Sequence, residues 1–301
     1  MTTVLVTGAS GLIGGHLCKR LSEEGYSVRV LGRSTSAVSP YEQFTWNVRD
    51  NVMDENAVKN VDYIVHLAGA NISEGRWNES RKAEIVQSRV NSAKLLFDTV
   101  KNTDTKLKAF ISSSAIGYYG AQTSETIFDE GHGPSTDFIG EVCKQWEEAA
   151  QHFEAVDMRT VMIRTGVVLT PQNGPLAKMV MPVKLGVGSG LGKGSQYLPW
   201  IHIEDLCNIY LKAIQDDAMN GPYNGVAPEH ITNLDFTKTI GKVIGKKVWM
   251  PNVPSFVLKL LFGEMAVIFL EGSRVSSKKI EKAGLKFTHP TAHAALENLL
   301  K

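Results

Sequence analysis

Cysteine is scarce in this 301-residue chain, and no two cysteines stand close together. Cys18, Cys143 and Cys207 are odd in number and form no C-x-x-C pair, which excludes a disulfide framework or a cysteine zinc site and fits a reducing compartment. An excess of one charge is missing too. Thirty-two basic against 31 acidic side chains leave a net +1, and no long block of either sign points to nucleic acid or an anionic membrane as partner. Residues 1–7 run straight into a strand and a glycine turn without a basic, apolar leader, so no signal peptide is expected and the cytoplasm is the expected compartment. Uninterrupted apolar runs of membrane length are also lacking. The nearest approach, "VPSFVLKLLFGEMAVIFLEG" at 253–272, is interrupted by Lys259 and Glu264 and punctuated by Pro254 and Gly263. It reads as buried or interfacial helices of a soluble domain, with no membrane span.

What is present is the composition of an ordinary globule, 43% hydrophobic and 21% charged, and enough chain for one large domain or two unequal ones sharing a core. Strand and helix signatures alternate. "TVLVTG" (3–8) is an apolar, β-branched strand, "GGHLCKRLSEEG" (14–25) has helical spacing closed by Gly25, and "SVRVLGR" (27–33) is a second strand. The strand signature returns at 61–69, 107–115 and 159–169, with helix candidates at 79–101 and 139–153 between. This pattern predicts an α/β fold, a doubly wound parallel sheet covered on both faces. Beyond about 171 glycine and proline rise and alternation is lost. The expected division is therefore 1–170 as a Rossmann domain, whose sheet can recruit later strands, and 171–301 as a smaller substrate or cap domain over the carboxyl edge. No internal repeat is visible.

The strongest motif is "VTGASGLIGGHL". Gly8, Gly11 and Gly14, with Ser10, Leu12 and Ile13 between them, form G-x-x-G-x-x-G between a strand and a helix, where backbone N–H groups can meet a pyrophosphate. At the end of the second strand, where NAD-binding folds place an acid for the ribose 2′-hydroxyl, this chain has Arg33 and Ser34. An arginine there can hold a 2′-phosphate that an acid would repel, so NADP(H) is the expected cofactor. A solvated loop charge is the alternative for Arg33. "GVGSGLGKGSQ" from Gly186 lacks the strand-to-helix setting and reads as a flexible rim or hairpin.

The glycine triplet, "HLAG", "SSSA", the helix bearing Lys144 and "LPWIHIEDL" together resemble the extended short-chain dehydrogenase/reductases, which include nucleotide-sugar epimerases and dehydratases. "LAGANI", "RTGVVL", "NGVAP" and "FLEGSRV" narrow the resemblance to an atypical NADP(H)-binding branch called epimerase family proteins, some of whose bacterial members carry a cell-division-inhibitor label. The resemblance spans nearly the whole chain. It implies that Ser114 is the polarising serine and Lys144 the ribose-binding lysine of a Tyr-x-x-x-Lys pair, yet Gly140 occupies the tyrosine position and Ser88 a structural asparagine position. Glycine cannot transfer a proton, a contribution of ~10²- to 10⁴-fold, so ordinary tyrosine-dependent turnover is not expected.

Replacements exist in the sequence. Tyr118 and Tyr119 follow Ser114, with Tyr119 the better placed acid or a pocket-lining aromatic, while His202, Glu204 and Asp205 lie on the cap side. His202, in an alternating run, also reads as a structural histidine. Leu67, Ala68 and Gly69 are expected along the cofactor, as are Glu84 and Arg89 from the next helix and Arg164 and Val168 from "RTGVVL"; for Arg89 a surface ion pair is the alternative. The expected function is an NADP(H)-dependent oxidoreductase or epimerase-like reaction on a small polar, nucleotide-sugar-like substrate, with no metal. The rival expectation is a non-catalytic cofactor-binding regulator whose 253–272 surface meets a partner. A homodimer is left open.

Overall fold

A computed structural model describes residues 1–171 and 174–301. β1 (Thr3–Thr7), α1 (Leu12–Glu23) and β2 (Ser27–Gly32) form the first βαβ unit, followed by β3 (Glu42–Asn47), β4 (Val52–Met53) and β5 (Tyr63–His66). Helix α2 (Glu79–Asn102) leads to β6 (Ala109–Ala115), and α3 (Phe138–Gln151) to β8 (Arg159–Thr165), with the two-residue strand β7 (Ile127–Phe128) between them. The main sheet has eight strands in the order β11-β8-β6-β5-β1-β2-β3-β4, where β11 is Gly221–Gly225. All neighbours are parallel except β3 and β4. The strand order reverses between β1 and β5, and ligands bind at such a switch point, outside the carboxyl ends of the strands.

Strand periodicity explains the two layers. Val4 and Val6 of β1, Tyr63 and Val65 of β5 and Ala109 and Ile111 of β6 join one buried cluster with α1 and α5 (Ile203–Gln215). Leu5, Ile64 and Phe110, one residue out of phase, join the opposite cluster with Leu95 and Leu96 of α2 and Ala150 of α3. Side chains that alternate across each strand thus fill both faces, which is why the strands read as continuous apolar runs. α2 and α3 start at side-chain caps, Asn78 accepting from Arg81 N and Asp137 accepting from Gly140 N.

Part of the chain after 171 returns to the main sheet. α5 packs on α1, and β11 closes the sheet edge beside β8. A smaller layer holds β9 (Val167–Leu169) paired with β10 (Trp200–His202), together with α4 (Pro175–Lys184), α6 (Asn233–Val243) and α10 (Ala292–Leu300) around a third cluster. The apolar 253–272 segment is broken at Gly263, φ +62°, into α7 (Ser255–Phe262), a short turn and α8 (Val267–Leu270). β12 (Arg274–Val275) then pairs with β7, and α9 (Lys278–Lys282) packs on β11. Among the described residues no helix is long and apolar enough to cross a membrane.

Candidate functional site

The amino terminus of α1 stands at the switch point. Its N-cap, Gly11, is extended and offers no side chain to cap it, so the first-turn N–H groups around Leu12, Ile13 and Gly14 remain as donors for an anion. Ser10 is exposed on the same turn. A Cβ on Gly14 would lie 2.3 Å from Gly8 O and 2.6 Å from Ala9 Cα; only glycine lets the helix approach the turn this closely. Exposed Arg33 and Ser34 follow β2 on the same sheet edge. Arg33 lines an open cleft of about 450 Å³ with Thr45, Trp46, Asn47, Met53 and Asp54. Asp54 is already engaged, capping a short turn through Asn56 N and Asn56 Nδ2.

A satisfied polar chain supports the far wall. Leu67 N and Ala68 N donate to Thr7 Oγ1, at 3.1 and 3.2 Å. Thr7 Oγ1 is 2.8 Å from His66 Nδ1, and His66 Nε2 is 3.0 Å from Ser92 Oγ, which in turn donates to Ser88 O. The two amides on Thr7 Oγ1 leave its proton for Nδ1, so the His66 proton sits on Nε2. Burial, reinforced by the Arg89 charge, lowers the His66 pKa to about 3 and keeps it neutral. Ser88 Oγ accepts from Ala70 N and fixes the loop after Gly69.

Arg89 is the unusual member of this wall. It is buried, donates to Ile85 O at 2.8 Å and lies 4.8 Å over the Trp146 ring, yet no carboxylate among the described residues pairs with it. Its guanidinium packs on Gly69, where a Cβ would lie 3.3 Å from Arg89 Cζ. Burial lowers its pKa, and the lone buried cation leaves room for an anionic or hydroxyl-bearing ligand. Glu84 is not brought to this point. Its carboxylate is exposed and pairs at 2.6 Å with Arg81, which also binds Asn71 O.

Around Ser114 the sequence reading needs correction. Ser114 Oγ is buried and donates to Glu147 Oε1 at 2.7 Å. Glu147 in turn receives Arg164 Nε on Oε1 and Nη2 on Oε2, both at 2.8 Å. Arg164 Nη1 donates to Tyr119 Oη at 3.0 Å, and Tyr119 donates to Asn224 Oδ1 at 2.7 Å. Tyr119 is only 2% exposed, and burial pushes its pKa up to about 12. The expected free phenol at Tyr119 is therefore not there, because both its hydrogen-bonding directions are spent inside the protein. Its neighbour Tyr118 is partly exposed, with the Arg164 guanidinium 3.5 Å from its ring centre. Burial raises the Tyr118 pKa and the Arg164 charge pulls the other way.

Glu147 was missed in the sequence, although a signal existed. It falls on the stripe Ile139, Cys143, Trp146, Ala150 that α3 buries, and a carboxylate there demands a cation. Lys144 lies one turn earlier, half exposed, 3.8 Å from Glu141 and 3.9 Å from Glu148. Gly140 is packed tight: a Cβ would sit 2.3 Å from Ser135 O. Val168 lies in β9, buried opposite Ile201 of β10. On the cap side His202 caps α5 by accepting from Glu204 N, faces Asn298 Oδ1 through Nε2 and has its ring centre 3.8 Å from that of His289, the planes tilted by 35°. Burial lowers its pKa to about 4. Asp205 accepts from Thr288 N and His289 N, anchoring the C-terminal segment. In this structure His202 and Asp205 tie the start of α5 to the C-terminal segment.

A doubly wound sheet with a glycine-framed, uncapped helix end at its switch point defines a Rossmann protein of the dinucleotide-binding class. More narrowly, the chain belongs to the NAD dependent epimerase/dehydratase family, whose model matches residues 4–225; a domain of unknown function, DUF1731, matches 253–299. The chain is 35% identical over 99% of its length, and 87% of the relative's, to the Arabidopsis thaliana epimerase family protein SDR39U1 homolog, chloroplastic. The crystal structure of human epimerase family protein SDR39U1 with NADPH superposes with a TM-score of 0.89 at 32% identity, covering 99% of each chain. UDP-N-acetylglucosamine 4-epimerase from Bacillus cereus shares the fold at 17% identity, TM-score 0.79, over 99% of this chain and 98% of its own.

Proposed function

We propose that this protein binds NADP(H) along the switch-point edge and uses it in an oxidoreductase or epimerase-like reaction on a small polar, nucleotide-sugar-like substrate. The observation that carries the cofactor is the uncapped α1 terminus closed by Gly14, with Arg33 on an open cleft of the same edge. The NADPH in the human relative's structure supports the choice of dinucleotide. Backbone N–H groups of 12–14 would take the pyrophosphate, Arg33 and Ser34 the 2′-phosphate, and Leu67, Ala68 and Gly69 would pack along the adenosine side. Arg89 and Lys144 would supply donors to the ribose or phosphate oxygens nearer the reacting end. The bound nicotinamide supplies hydride transfer; this chain must hold the substrate oxygen and move its proton.

Tyr118 is the residue for that proton. Unlike Tyr119 it is partly exposed, and it follows Ser114 at the carboxyl edge of β6, with Arg164 behind it to stabilise developing negative charge on the phenol oxygen. Ser114 acts indirectly, holding Glu147 and through it Arg164. Tyr118→Phe should abolish most substrate-dependent NADPH oxidation and leave NADPH affinity unchanged, whereas Tyr119→Phe should mainly reduce stability. NADPH should bind at least about tenfold tighter than NADH, a preference of about 1.4 kcal/mol that Arg33→Ala should erase. Equal affinities in calorimetric titration would refute the cofactor assignment.

A second reading has its own support. Ser114 and Tyr119 are consumed by buried hydrogen bonds, and Gly140 leaves the usual acid position empty. A non-catalytic NADP(H)-binding regulator would show these features, and would bind NADPH without turnover over a broad panel of nucleotide sugars and small carbonyl compounds.

A further inference from the structure

The even charge balance of the whole chain hides an uneven local one. Four of the eleven large apolar side chains exposed among the described residues fall within 249–261: Trp249 at 71%, Phe256 at 69%, Leu260 at 73% and Leu261 at 58%. Phe256 and Leu260, four residues apart, share the outer face of α7, while Leu258 is buried beneath. The helix is held in this orientation. Arg76 donates from Nη2 to Leu260 O and from Nε to Leu261 O, at 2.6 and 3.2 Å, and Gly263 ends the helix.

The same stretch carries cations and no acid. Lys246, Lys247 and Lys259 are exposed, and no Asp or Glu occurs between Gly245 and Gly263. Lys193 joins them from another loop, its carbonyl accepting from Asn252 Nδ2 at 2.9 Å. None of the four lysines is in an ion pair among the described residues. Glu264, the next acid along the chain, is occupied by Lys82 at 2.6 Å.

We infer that this face docks on an anionic lipid surface, with Trp249, Phe256 and Leu260 entering the headgroup layer and the four lysines meeting lipid phosphates. A short helix showing large apolar side chains outward beside unpaired lysines has the two signals that peripheral binding needs, apolar insertion and electrostatic attraction. Trp at such a boundary buries its ring and keeps its N–H wet. A second copy of this chain fits less well, because a two-fold interface would set this lysine set against itself. The face lies on α7 and the 245–253 loop and includes none of the residues that the cofactor assignment uses, so the two can fail separately.

The test is co-sedimentation of the full chain with vesicles of phosphatidylcholine alone or mixed equally with phosphatidylglycerol, with NADPH titration in parallel. The expected result is binding to the mixed vesicles only, weakening as salt rises. Each lysine near such a surface strengthens binding about fivefold, so Lys246→Ser with Lys247→Ser should weaken it about twenty-five-fold. Phe256→Ser with Leu260→Ser should release the protein, while NADPH affinity stays that of the parent. The inference is overturned by no binding to mixed vesicles, by salt-independent binding, or by unchanged binding in both variants. It is overturned equally if light scattering shows a dimer that the Phe256→Ser, Leu260→Ser variant splits.

Discussion

Glu147→Gln tests the buried network with almost no change of shape. The carboxylate accepts from Ser114 Oγ and twice from Arg164, at 2.7, 2.8 and 2.8 Å, with side chains 3% exposed for Arg164 and 6% for Glu147. A carboxamide keeps one acceptor but turns an NH₂ toward a guanidinium, leaving Arg164 charged and unpaired inside the protein. Breaking a buried pair in this way costs about 3–5 kcal/mol. An unfolding entropy of ~2.1 cal/mol/K per residue over 301 residues is about 0.6 kcal/mol per degree, so Tm should fall by roughly 5–8 °C. Removing both charges with Glu147→Leu and Arg164→Met leaves no orphaned ion, and the double variant should be more stable than the sum of the single effects by about 2 kcal/mol or more. Thermal melts and urea titrations of the four proteins complete the cycle. A Glu147→Gln variant within about 0.5 kcal/mol of the parent, or strict additivity, would refute the claim that the pair is desolvated and coupled.

Three other outcomes follow from the same geometry. Gly140→Ala places a methyl 2.3 Å from Ser135 O and should destabilise by about 1–3 kcal/mol, seen as a lower urea midpoint; an unshifted midpoint would show that the α3 entry yields freely. Gly14→Ala, with its methyl 2.3 Å from Gly8 O, should weaken NADPH binding in calorimetry more than it lowers Tm, by pushing the helix off the turn. His66 and His202 are held neutral, with pKa values lowered from 6.5 to about 3 and about 4, so the unfolded chain binds more protons below pH 6.5 and stability falls with pH in that range. At pH 5 each contributes about 2 kcal/mol of loss. His202→Asn keeps an N-cap and should make the decline between pH 6.5 and 4 shallower by one proton, as read from urea titrations; an unchanged slope would remove His202 from the account.

The sheet was legible because its cause is local. Alternating side chains in strands buried on both faces give continuous apolar runs, and a glycine-rich turn between strand and helix needs no distant partner to be recognised. What escaped depended on residues far apart in sequence. β7 pairs with β12 across about 150 residues, a contact that no local pattern announces, whereas β11 joins β8 as one of the later strands the sheet was expected to recruit. Two-residue strands such as β7 and β12 have no period to read. Arg164 was placed at the carboxyl edge, but its partner Glu147 was not, since the pairing joins the carboxyl end of β8 to the buried stripe of α3. Position along the sequence favoured Tyr119 over Tyr118 as the acid, but position carries no information on which ring is buried. One residue of offset in the turn after β6 sends Tyr119 inward to Asn224 and leaves Tyr118 at the surface.

The glycine at 140 and the tyrosine at 118 are best understood together. Ser135 N donates to Tyr118 O at 2.8 Å, tying the turn after β6 to the segment that enters α3. Ser135 O then occupies the space a Cβ of residue 140 would need, and Ile139 Cγ2 lies 2.3 Å from where a Cβ of Gly117 would be. Both glycines are thus required by one close approach, of the 116–119 turn onto the first turn of α3. A tyrosine at 140 would force that approach apart and, with it, the placement of Tyr118 over Arg164. The backbone therefore does not simply lack the usual acid. Its packing excludes a side chain at that position and brings a different phenol to the carboxyl edge, backed by a guanidinium that Glu147 and Tyr119 hold in place. Restoring the missing residue as Gly140→Tyr should accordingly lower stability and any turnover together, because the two phenols compete for one arrangement of the chain.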